Sequence, residues 1–315
     1  HSLSRTIRHH DTFLSAKGQP IFQKLKPQLL ITFGKSIISK NLKLFIRAHQ
    51  PQQHWHLQPA GQVADTFQAL THVLRTQSKH FFNDFTKNAS KTDARQAYEL
   101  AWQQQEAAAK NYLKHFFSAP SFNEFSALEQ VWKQLPGNSK LHLANSMSVR
   151  YANLLALASD KNIEVYANRG TSGIDGSSST AVGSALADSR ITTLITGDLA
   201  FFYDRNALWH NYLPQNLRIV LLNNHGGGIF RMIDGPKQQP ELKEFFETHQ
   251  QLSAENTARD FNLQYYSCNT IAEIAAALPA FFDINSKAAV LEVFTSTEIN
   301  TNFFMHFKKS SPFNC

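Results

Sequence analysis

The sequence predicts an α/β protein with two doubly wound parallel-sheet domains. Short aliphatic and β-branched runs alternate along the chain with segments long enough for helices, which is the pattern of parallel α/β sheets. The clearest unit has two apolar runs, residues 191–196 and 217–222, separated by a potential helix at 199–212. A strand–helix–strand unit makes its strands parallel, so both end at the carboxyl edge, where open α/β sheets bind ligands.

The first 119 residues predict a small α/β domain that ends in a long linker helix. Residues 27–33 and 54–57 predict strands, and residues 37–49 and 67–74 have helical spacing. Residues 91–117 are rich in Ala, Gln, Glu and Leu, and Thr92 and Asp93 can cap a helix there. This helix should end before Pro120, so we expect one domain at 1–119 and a second at 120–315.

The second domain predicts about six strands alternating with helices. The predicted strands are residues 141–144, 164–167, 191–196, 217–222, 263–266 and 288–294. The predicted helices, besides 199–212, are residues 121–135, about 147–159, 177–187, 241–247 and 271–278. This alternation is typical of a doubly wound parallel sheet.

Composition narrows the classes of function. The chain has 315 residues, of which 42% are hydrophobic, and its net charge is +7 with the basic residues dispersed. Dispersed charge favours small anionic substrates over nucleic acid. Two cysteines, Cys268 and Cys315, are too few for a disulfide framework and favour a reducing, cytoplasmic location. No apolar run reaches the length of a membrane span.

Oxygen-bearing groups follow both strands of the 191–222 unit. Asp198 comes directly after the first strand, and Asn224 after the second, 26 positions later and just before Gly226-Gly227-Gly228. Mg²⁺ prefers oxygen ligands and usually takes only one or two from the protein, with phosphates and water completing its shell. A carboxylate, an amide oxygen and an accessible backbone carbonyl therefore suit a magnesium diphosphate.

Further polar residues follow the other predicted strands of the second domain. Ser146 and Arg150 follow the strand at 141–144, and Asn168, Arg169 and Ser172 follow the strand at 164–167. Arginine forks match carboxylates in a bidentate geometry. These residues are therefore candidates for binding an anionic substrate at the same edge of the sheet.

Taken together, these motifs resemble the pyrophosphate-binding domain of thiamine-diphosphate enzymes. More narrowly, they resemble the family of 2-succinyl-5-enolpyruvyl-6-hydroxy-3-cyclohexene-1-carboxylate synthases of menaquinone biosynthesis. Leucine at position 199 supports the narrower family, because most of the superfamily has glycine after Gly-Asp. The matching residues are Asn145-Ser146 with Arg150, Asn168-Arg169-Gly170, Ser172-Gly173-Ile174-Asp175-Gly176, Gly197-Asp198-Leu199, Tyr203-Asp204, Asn206-Ala207-Leu208, Asn223-Asn224 with the glycines that follow, Ile229 and Phe230.

The resemblance implies a reaction and its cofactors. Thiamine diphosphate, with Mg²⁺ or Mn²⁺, would support decarboxylation of 2-oxoglutarate. The resulting succinyl semialdehyde carbanion would then add to isochorismate in a Stetter-like 1,4-addition, so the enzyme is a transferase. The family also implies a homo-oligomer, a dimer or a tetramer, with active sites shared between subunits.

The resemblance also implies roles for individual residues. Asp198, Asn224 and the carbonyl of Gly226 would bind the metal, and Ile229 and Phe230 would pack near the substrates. Ser146, Arg150 and Arg169 would bind substrate carboxylates. The residues expected to contact the cofactor are Ser172, Gly173, Ile174, Gly197, Asp198, Leu199, Ala200, Asn224, Gly226 and Gly227.

One part of the family pattern has no match in the sequence. The first half is similar to the family's central domain, and nothing is similar to its N-terminal pyrimidine-binding domain, whose glutamate activates the cofactor. We therefore expect the chain to be a fragment that does not turn over alone. Another thiamine-diphosphate decarboxylase or carboligase, or a non-catalytic scaffold, remains an alternative. We expect His225 to be an ordinary loop residue.

Overall fold

The computed structural model describes residues 6–15, 18–35, 37–88, 93–157 and 160–313. The chain divides into two compact units. Unit 1 comprises His1–Lys114 together with Ser310–Cys315, and unit 2 comprises His115–Lys309. Both have a parallel sheet with helical connections, so the predicted α/β class is confirmed.

Unit 1 is built on a three-stranded parallel sheet in the order β1-β2-β3. Its strands are β1 (Leu29–Phe33), β2 (Gln53–Leu57) and β3 (His72–Leu74). Its helices are α1 (His10–Phe13), α2 (Ile21–Leu25), α3 (Lys40–Ala48), α4 (Ser78–Asn88) and the long α5 (Asp93–Phe116), which ends just beyond the unit boundary. The predicted cap at Thr92 lies outside the described residues.

The helical prediction for residues 67–74 is wrong. The carboxylate of Asp65 accepts hydrogen bonds from the amides of Ala69 at 3.2 Å and Leu70 at 3.1 Å, and this closes a turn. The chain then pairs with β2, in the register Trp55 to His72. Sheet pairing with a distant strand therefore overrides the local apolar spacing, which does not distinguish a short strand from a helix.

Glu106 of α5 anchors the N-terminal segment of unit 1. Its side chain is buried and accepts hydrogen bonds from the ring Nδ1 of His9 at 2.7 Å and from the amides of His9 at 2.9 Å and Arg8 at 3.1 Å. Burial alone would raise the pKa of Glu106. The hydrogen bonds from His9 and Arg8 outweigh that effect and hold the pKa at about 2, well below its usual 4.5.

This anchor predicts a defined pH dependence of stability. A carboxyl group with a depressed pKa stabilises the folded state fully above its unfolded-state pKa, and this stabilisation is lost as the pH falls from about 4.5 to about 2. We expect Glu106→Gln to lower the free energy of unfolding by about 2 kcal/mol at pH 7. The loss should shrink progressively between pH 5 and pH 2. Urea unfolding across that range measures it, with the exposed Glu244→Gln as control.

Unit 2 contains a six-stranded parallel sheet in the order β5-β4-β6-β7-β9-β8. The strands are β4 (Lys140–Leu143), β5 (Glu164–Ala167), β6 (Thr192–Gly197), β7 (Leu217–Asn223), β8 (Gln264–Cys268) and β9 (Ala289–Phe294). The chain leaves β4 toward β5 and then returns to place β6 on the other side of β4. With right-handed crossovers, this change of direction puts helices on both faces of the sheet.

The helices of unit 2 differ from the prediction at two predicted segments, and two further helices, Glu255–Asp260 and Thr297–Lys309, were not predicted. They are α6 (Glu124–Gln134), α7 (Met147–Leu155), α8 (Ser177–Leu186), α9 (Asp198–Tyr203), α10 (Glu255–Asp260), α11 (Ile271–Phe281) and α12 (Thr297–Lys309). The predicted helix 199–212 stops at Tyr203, because the Asp204 carboxylate accepts from the amide of Ser179 at 2.7 Å and from its hydroxyl at 2.6 Å. The predicted acidic helix at 241–247 is absent, and a 3₁₀ turn at Pro240–Leu242 takes its place.

The core of unit 2 lies on the central strands. All seven residues of β7 are buried, as are the first five of both β6 and β9. Strands that are covered on both faces consist almost entirely of apolar residues, and this made them recognisable in the sequence.

Cys268 is a free, buried thiol whose pKa is raised to about 11 by burial. No helix among the described residues is long and apolar enough to cross a membrane.

Candidate metal and cofactor site

The carboxyl ends of β6 and β7 bring the predicted metal ligands together. Gly197, the last residue of β6, is in register with Leu222 near the end of β7. Asp198 and Asn224 therefore leave the sheet from neighbouring strands at the same edge. The backbone N–H of Gly226 donates to the side-chain oxygen of Asn224 at 3.1 Å, and this amide also lowers the pKa of the nearby Asp198 carboxyl group. The backbone of Gly226 thus lies close to both predicted side-chain ligands.

Asp198 is a buried carboxylate held by neutral donors. Only 2% of the residue is exposed, and it begins α9. Its Oδ2 accepts from the side-chain amide of Gln250 at 2.8 Å, and its Oδ1 accepts from the amide of Leu199 at 2.8 Å. Burial raises its pKa, and the hydrogen bonds from Gln250, Leu199 and Gly226 oppose that rise. A buried carboxylate with no positive side chain bonded to it is suited to pair with a cation.

The glycines after Asn224 are required by close packing against residues 246–250. The amide of Gly227 donates to the carbonyl of Glu247 at 2.6 Å, and the amide of Gln250 donates to the carbonyl of His225 at 3.1 Å. A Cβ atom on Gly226 would lie 2.7 Å from the carbonyl oxygen of Glu247, which is closer than atoms can approach. Glycine at this position therefore allows the backbone to lie between the metal ligands and the 246–250 segment.

The donor set fits a hard divalent cation that brings its own ligands. The described residues hold no cluster of three or more His, Cys, Asp or Glu side chains able to bind a metal by themselves. Asp198 and Asn224 supply one carboxylate and one amide oxygen, and Gly226 supplies a carbonyl. This is too few for an all-protein site but is what Mg²⁺ needs when a diphosphate fills other positions.

Sequence reasoning missed Glu124, which contacts Asn224 from 100 positions away. It is the first residue of α6 and is only 3% exposed. Its Oε1 accepts from the Nδ2 of Asn224 at 2.5 Å, and its Oε2 accepts from the hydroxyl of Tyr151 at 3.3 Å. Burial raises the pKa of Glu124 to about 7, the nearby Asp198 adds to the rise, and the hydrogen bonds from Asn224 and Tyr151 oppose it. No local sequence signal separates this residue from an ordinary helix-start glutamate.

A second carboxylate, Glu292 of β9, supports the site through Asn223. The Nδ2 of Asn223 donates to Glu292 at 2.7 Å. The side-chain oxygen of Asn223 accepts from Gln250 at 3.2 Å, and Gln250 also binds Asp198. Burial raises the pKa of Tyr265 to about 12, so its hydroxyl stays protonated and donates to Glu292 at 2.7 Å. A chain of hydrogen bonds thus runs from Glu292 to Asp198.

The predicted substrate residues lie at the ends of β4 and β5. Ser146 has a φ of 67°, a strained conformation for serine. Its carbonyl accepts from the exposed guanidinium of Arg150 at 2.5 Å. Arg169 donates to the side-chain oxygen of Asn145 at 2.5 Å, and its Nε is buried without a hydrogen-bond partner in the structure. An unsatisfied guanidinium N–H at this edge can bind a carboxylate.

The remaining predicted residues lie on β6, on α9 and in the segments that follow β5 and β7. Ser172 has a φ of 63°, and the carbonyl of Gly173 accepts from the side chain of Asn145 at 2.5 Å. Ile229 and Phe230 lie on a half-buried 3₁₀ turn, Gly228–Arg231, where Phe230 packs 5.4 Å from Phe246. The other predicted cofactor residues on β6 and α9 are the half-buried Gly197 and Leu199 and the buried Ala200, with the half-buried Ile174 on the loop after β5.

His225 is more constrained than a simple loop residue needs to be. It has a φ of 62°, and its carbonyl accepts from the ring of His249 at 2.7 Å. Its Nδ1 is buried without a hydrogen-bond partner in the structure, and its ring stacks on Phe294 at 6.0 Å. The backbone of His225 therefore helps to fix the loop that holds Asn224 and Gly226.

Sequence comparison identifies proteins to which this chain is similar. A family sequence profile described as the middle domain of thiamine pyrophosphate matches residues 2–143. A 2-succinyl-5-enolpyruvyl-6-hydroxy-3-cyclohexene-1-carboxylate synthase from Cytophaga hutchinsonii is 46% identical over 98% of this chain and 55% of its own length. This chain is a relative of those synthases. The synthase of Flavobacterium johnsoniae is 40% identical over 92% of this chain and 52% of its own length. That of Bacteroides fragilis (strain YCH46) is 37% identical over 92% and 51%.

The similarity to these synthases includes both units of this chain but only part of the length of each synthase. The alignments include nearly all of this chain, so unit 1 and unit 2 share the relationship. The chain spans about half the length of the curated synthases that it matches. The sequence similarity therefore extends over both units of this chain and over about half of each synthase.

Proposed function

We propose that this chain supplies the metal- and diphosphate-binding part of a thiamine-diphosphate site in a 2-succinyl-5-enolpyruvyl-6-hydroxy-3-cyclohexene-1-carboxylate synthase. The observation that carries the proposal is the convergence of Asp198, Asn224 and Gly226 at one sheet edge, in a chain related to those synthases. The two side chains and the carbonyl of Gly226 would bind Mg²⁺ or Mn²⁺. The amides of Leu199 and Ala200, in the first turn of α9, would face the diphosphate.

We propose that the other predicted cofactor residues complete the cofactor site at this edge of the sheet. Gly197 and Gly227 offer backbone groups beside the metal ligands, and Ser172, Gly173 and Ile174 line the loop after β5. When bound, thiamine diphosphate supplies the carbanion stabilisation that a 2-oxoacid decarboxylation requires. The protein residues bind and orient the reacting groups and exclude water from them.

For the substrates, we propose 2-oxoglutarate and isochorismate. Both carry carboxylates, which Arg150 and Arg169 would hold in place with the help of Ser146. The apolar side chains of Ile229 and Phe230 would cover the reacting centre and keep it dry. The product would be the succinylated cyclohexene carboxylate that names the related synthases, as a step of menaquinone biosynthesis in the cytoplasm.

We propose the complete reaction only for a protein with the full length of the related synthases. The resemblance implies that the glutamate that activates the cofactor belongs to the family's N-terminal domain, which no part of this sequence resembles. We therefore propose that this chain by itself binds but does not turn over. We also propose that the complete protein is a dimer or tetramer with shared active sites.

Calorimetry tests the cofactor assignment on the 315-residue chain. Thiamine diphosphate is titrated into the protein with Mg²⁺ and, separately, with EDTA. We expect heat of binding only with Mg²⁺. Helix α9 has no lysine or arginine that could bind the diphosphate directly, so the metal must link the diphosphate to the protein. Binding of equal affinity in EDTA, or no binding with either, would overturn the proposal that this chain holds the site.

Replacement of Arg169 tests the substrate assignment in the complete enzyme. Arg169→Met keeps an unbranched apolar stem but removes the guanidinium. Because a charged hydrogen-bonded contact contributes about 1.5 to 3 kcal/mol, we expect the KM for one substrate to rise about tenfold or more. Cofactor affinity should stay unchanged. Arg259→Met, on the exposed surface of α10, is the matched control. Unchanged KM values for both substrates would instead favour another thiamine-diphosphate decarboxylase.

A further inference from the structure

Glu124 contacts Asn224, a proposed metal ligand, from outside the loop that holds Asn224 and Gly226. Its Oε1 lies 2.5 Å from the Nδ2 of Asn224, and its Oε2 lies 3.3 Å from the hydroxyl of Tyr151. Both carboxyl oxygens therefore face donors within unit 2. Glu124 therefore contacts the proposed metal ligand Asn224 through the NH₂ group of its side chain.

The position of this carboxyl group is fixed by the start of α6. Asn123 caps the helix, with its side-chain oxygen accepting from the amides of Phe125 at 2.9 Å and Ser126 at 3.1 Å. The amide of Glu124 donates to the side-chain oxygen of Asn300 at 2.9 Å. The ring of Phe125 stacks on that of Tyr151 with centroids 4.8 Å apart. A capped and packed helix end holds the carboxyl group in one place.

A side-chain amide has an oxygen on one side and an NH₂ group on the other, and only the oxygen binds a cation. The Nδ2 of Asn224 faces Glu124, so its Oδ1 must face the opposite side. That side holds the N–H of Gly226, which donates to the Oδ1 of Asn224 at 3.1 Å. If the amide were rotated by 180°, its oxygen would face a carboxyl oxygen of Glu124 and its NH₂ group would face the metal position.

We propose that Glu124 is a positioning residue that fixes the amide of Asn224 with its oxygen toward the divalent cation. The inference rests on the proposed function, since it deepens the assignment of Asn224 as a metal ligand. Residues that orient metal ligands change metal affinity by about 10- to 100-fold when they are replaced. The role requires an acceptor at position 124 and does not require a negative charge.

The test measures Mn²⁺ affinity by electron paramagnetic resonance, in the presence of thiamine diphosphate, on the 315-residue chain. We expect Glu124→Leu, which lacks an acceptor, to weaken Mn²⁺ binding about 10- to 100-fold. Glu124→Gln keeps an oxygen for the Nδ2 of Asn224 and should stay within about threefold of the wild type. Tyr151→Phe removes the other partner of Glu124 and should also stay within about threefold.

A paired substitution keeps the inference testable if Glu124→Leu does not fold. Asn224→Asp places a carboxylate against Glu124, and we expect it to weaken Mn²⁺ binding. Adding Glu124→Gln supplies an NH₂ group for that carboxylate. We expect the double variant to bind Mn²⁺ at least about tenfold more tightly than Asn224→Asp alone. Recovery of this size would support the positioning role, because a purely structural contribution would add independently.

The outcomes separate this inference from the proposed function. Wild-type protein that binds no Mn²⁺ with thiamine diphosphate would overturn both. Wild-type binding that Glu124→Leu leaves unchanged, or additive effects of Asn224→Asp and Glu124→Gln, would overturn the positioning role alone. Equal losses in Glu124→Gln and Glu124→Leu would show that the charge of Glu124 is needed, and would also overturn it.

Discussion

Asp198→Ala is expected to abolish magnesium-dependent binding of thiamine diphosphate, with a loss of at least about 100-fold in Mg²⁺ affinity. Asp198 is the one charged group among the three proposed metal ligands. Its carboxylate is 98% buried and is bonded by neutral donors, so removing it takes away the negative charge that a buried cation needs. Asn224 and Gly226 would be left with neutral oxygens only.

The fold should survive this substitution. Asp198 has no hydrogen bond from a positively charged side chain among the described contacts, so its removal leaves no cation buried alone. The freed amide of Gln250 keeps its second acceptor, the side-chain oxygen of Asn223. Calorimetry of Mg²⁺ with thiamine diphosphate present measures the loss, and circular dichroism checks the fold. The exposed Asp260→Ala is the control. Wild-type affinity in Asp198→Ala would contradict the metal assignment.

Glu292→Leu should produce the largest loss of stability in unit 2, about 3 to 5 kcal/mol. Glu292 is fully buried and accepts from the Nδ2 of Asn223 at 2.7 Å and the amide of Ala254 at 2.9 Å. It also accepts from the hydroxyls of Tyr265 at 2.7 Å and Ser253 at 3.0 Å. Leucine removes every acceptor at once and leaves several buried donors unsatisfied.

Thermal unfolding measures this effect. For a unit of this size, we expect the midpoint temperature to fall by roughly 10 °C. Glu244→Leu, at an exposed position, applies the same chemical change and should leave the midpoint nearly unchanged. A fall of less than 1 kcal/mol in Glu292→Leu would mean that the hydrogen bonds to Glu292 contribute little. Since Asn223 links Glu292 to Gln250, Mg²⁺ binding should weaken in the same variant.

The sequence by itself predicted the α/β class, the six strands of unit 2 and the neighbouring positions of Asp198 and Asn224. These features depend on short-range patterns. Buried parallel strands are continuous apolar runs, and the parallel rule fixes where their ends meet. The structure confirms the pairing of β6 with β7 that the prediction required.

Tertiary structure alone decided which distant groups hold those ligands. Glu124, Gln250 and Glu292 come from α6, a loop and β9, and each looks like an ordinary polar residue in its own segment. Tertiary pairing also made residues 72–74 a strand, although their spacing suits a helix. The physical reason is the same in each case. A hydrogen bond between groups far apart in the chain depends on where the whole fold places them, and local spacing carries no record of that placement.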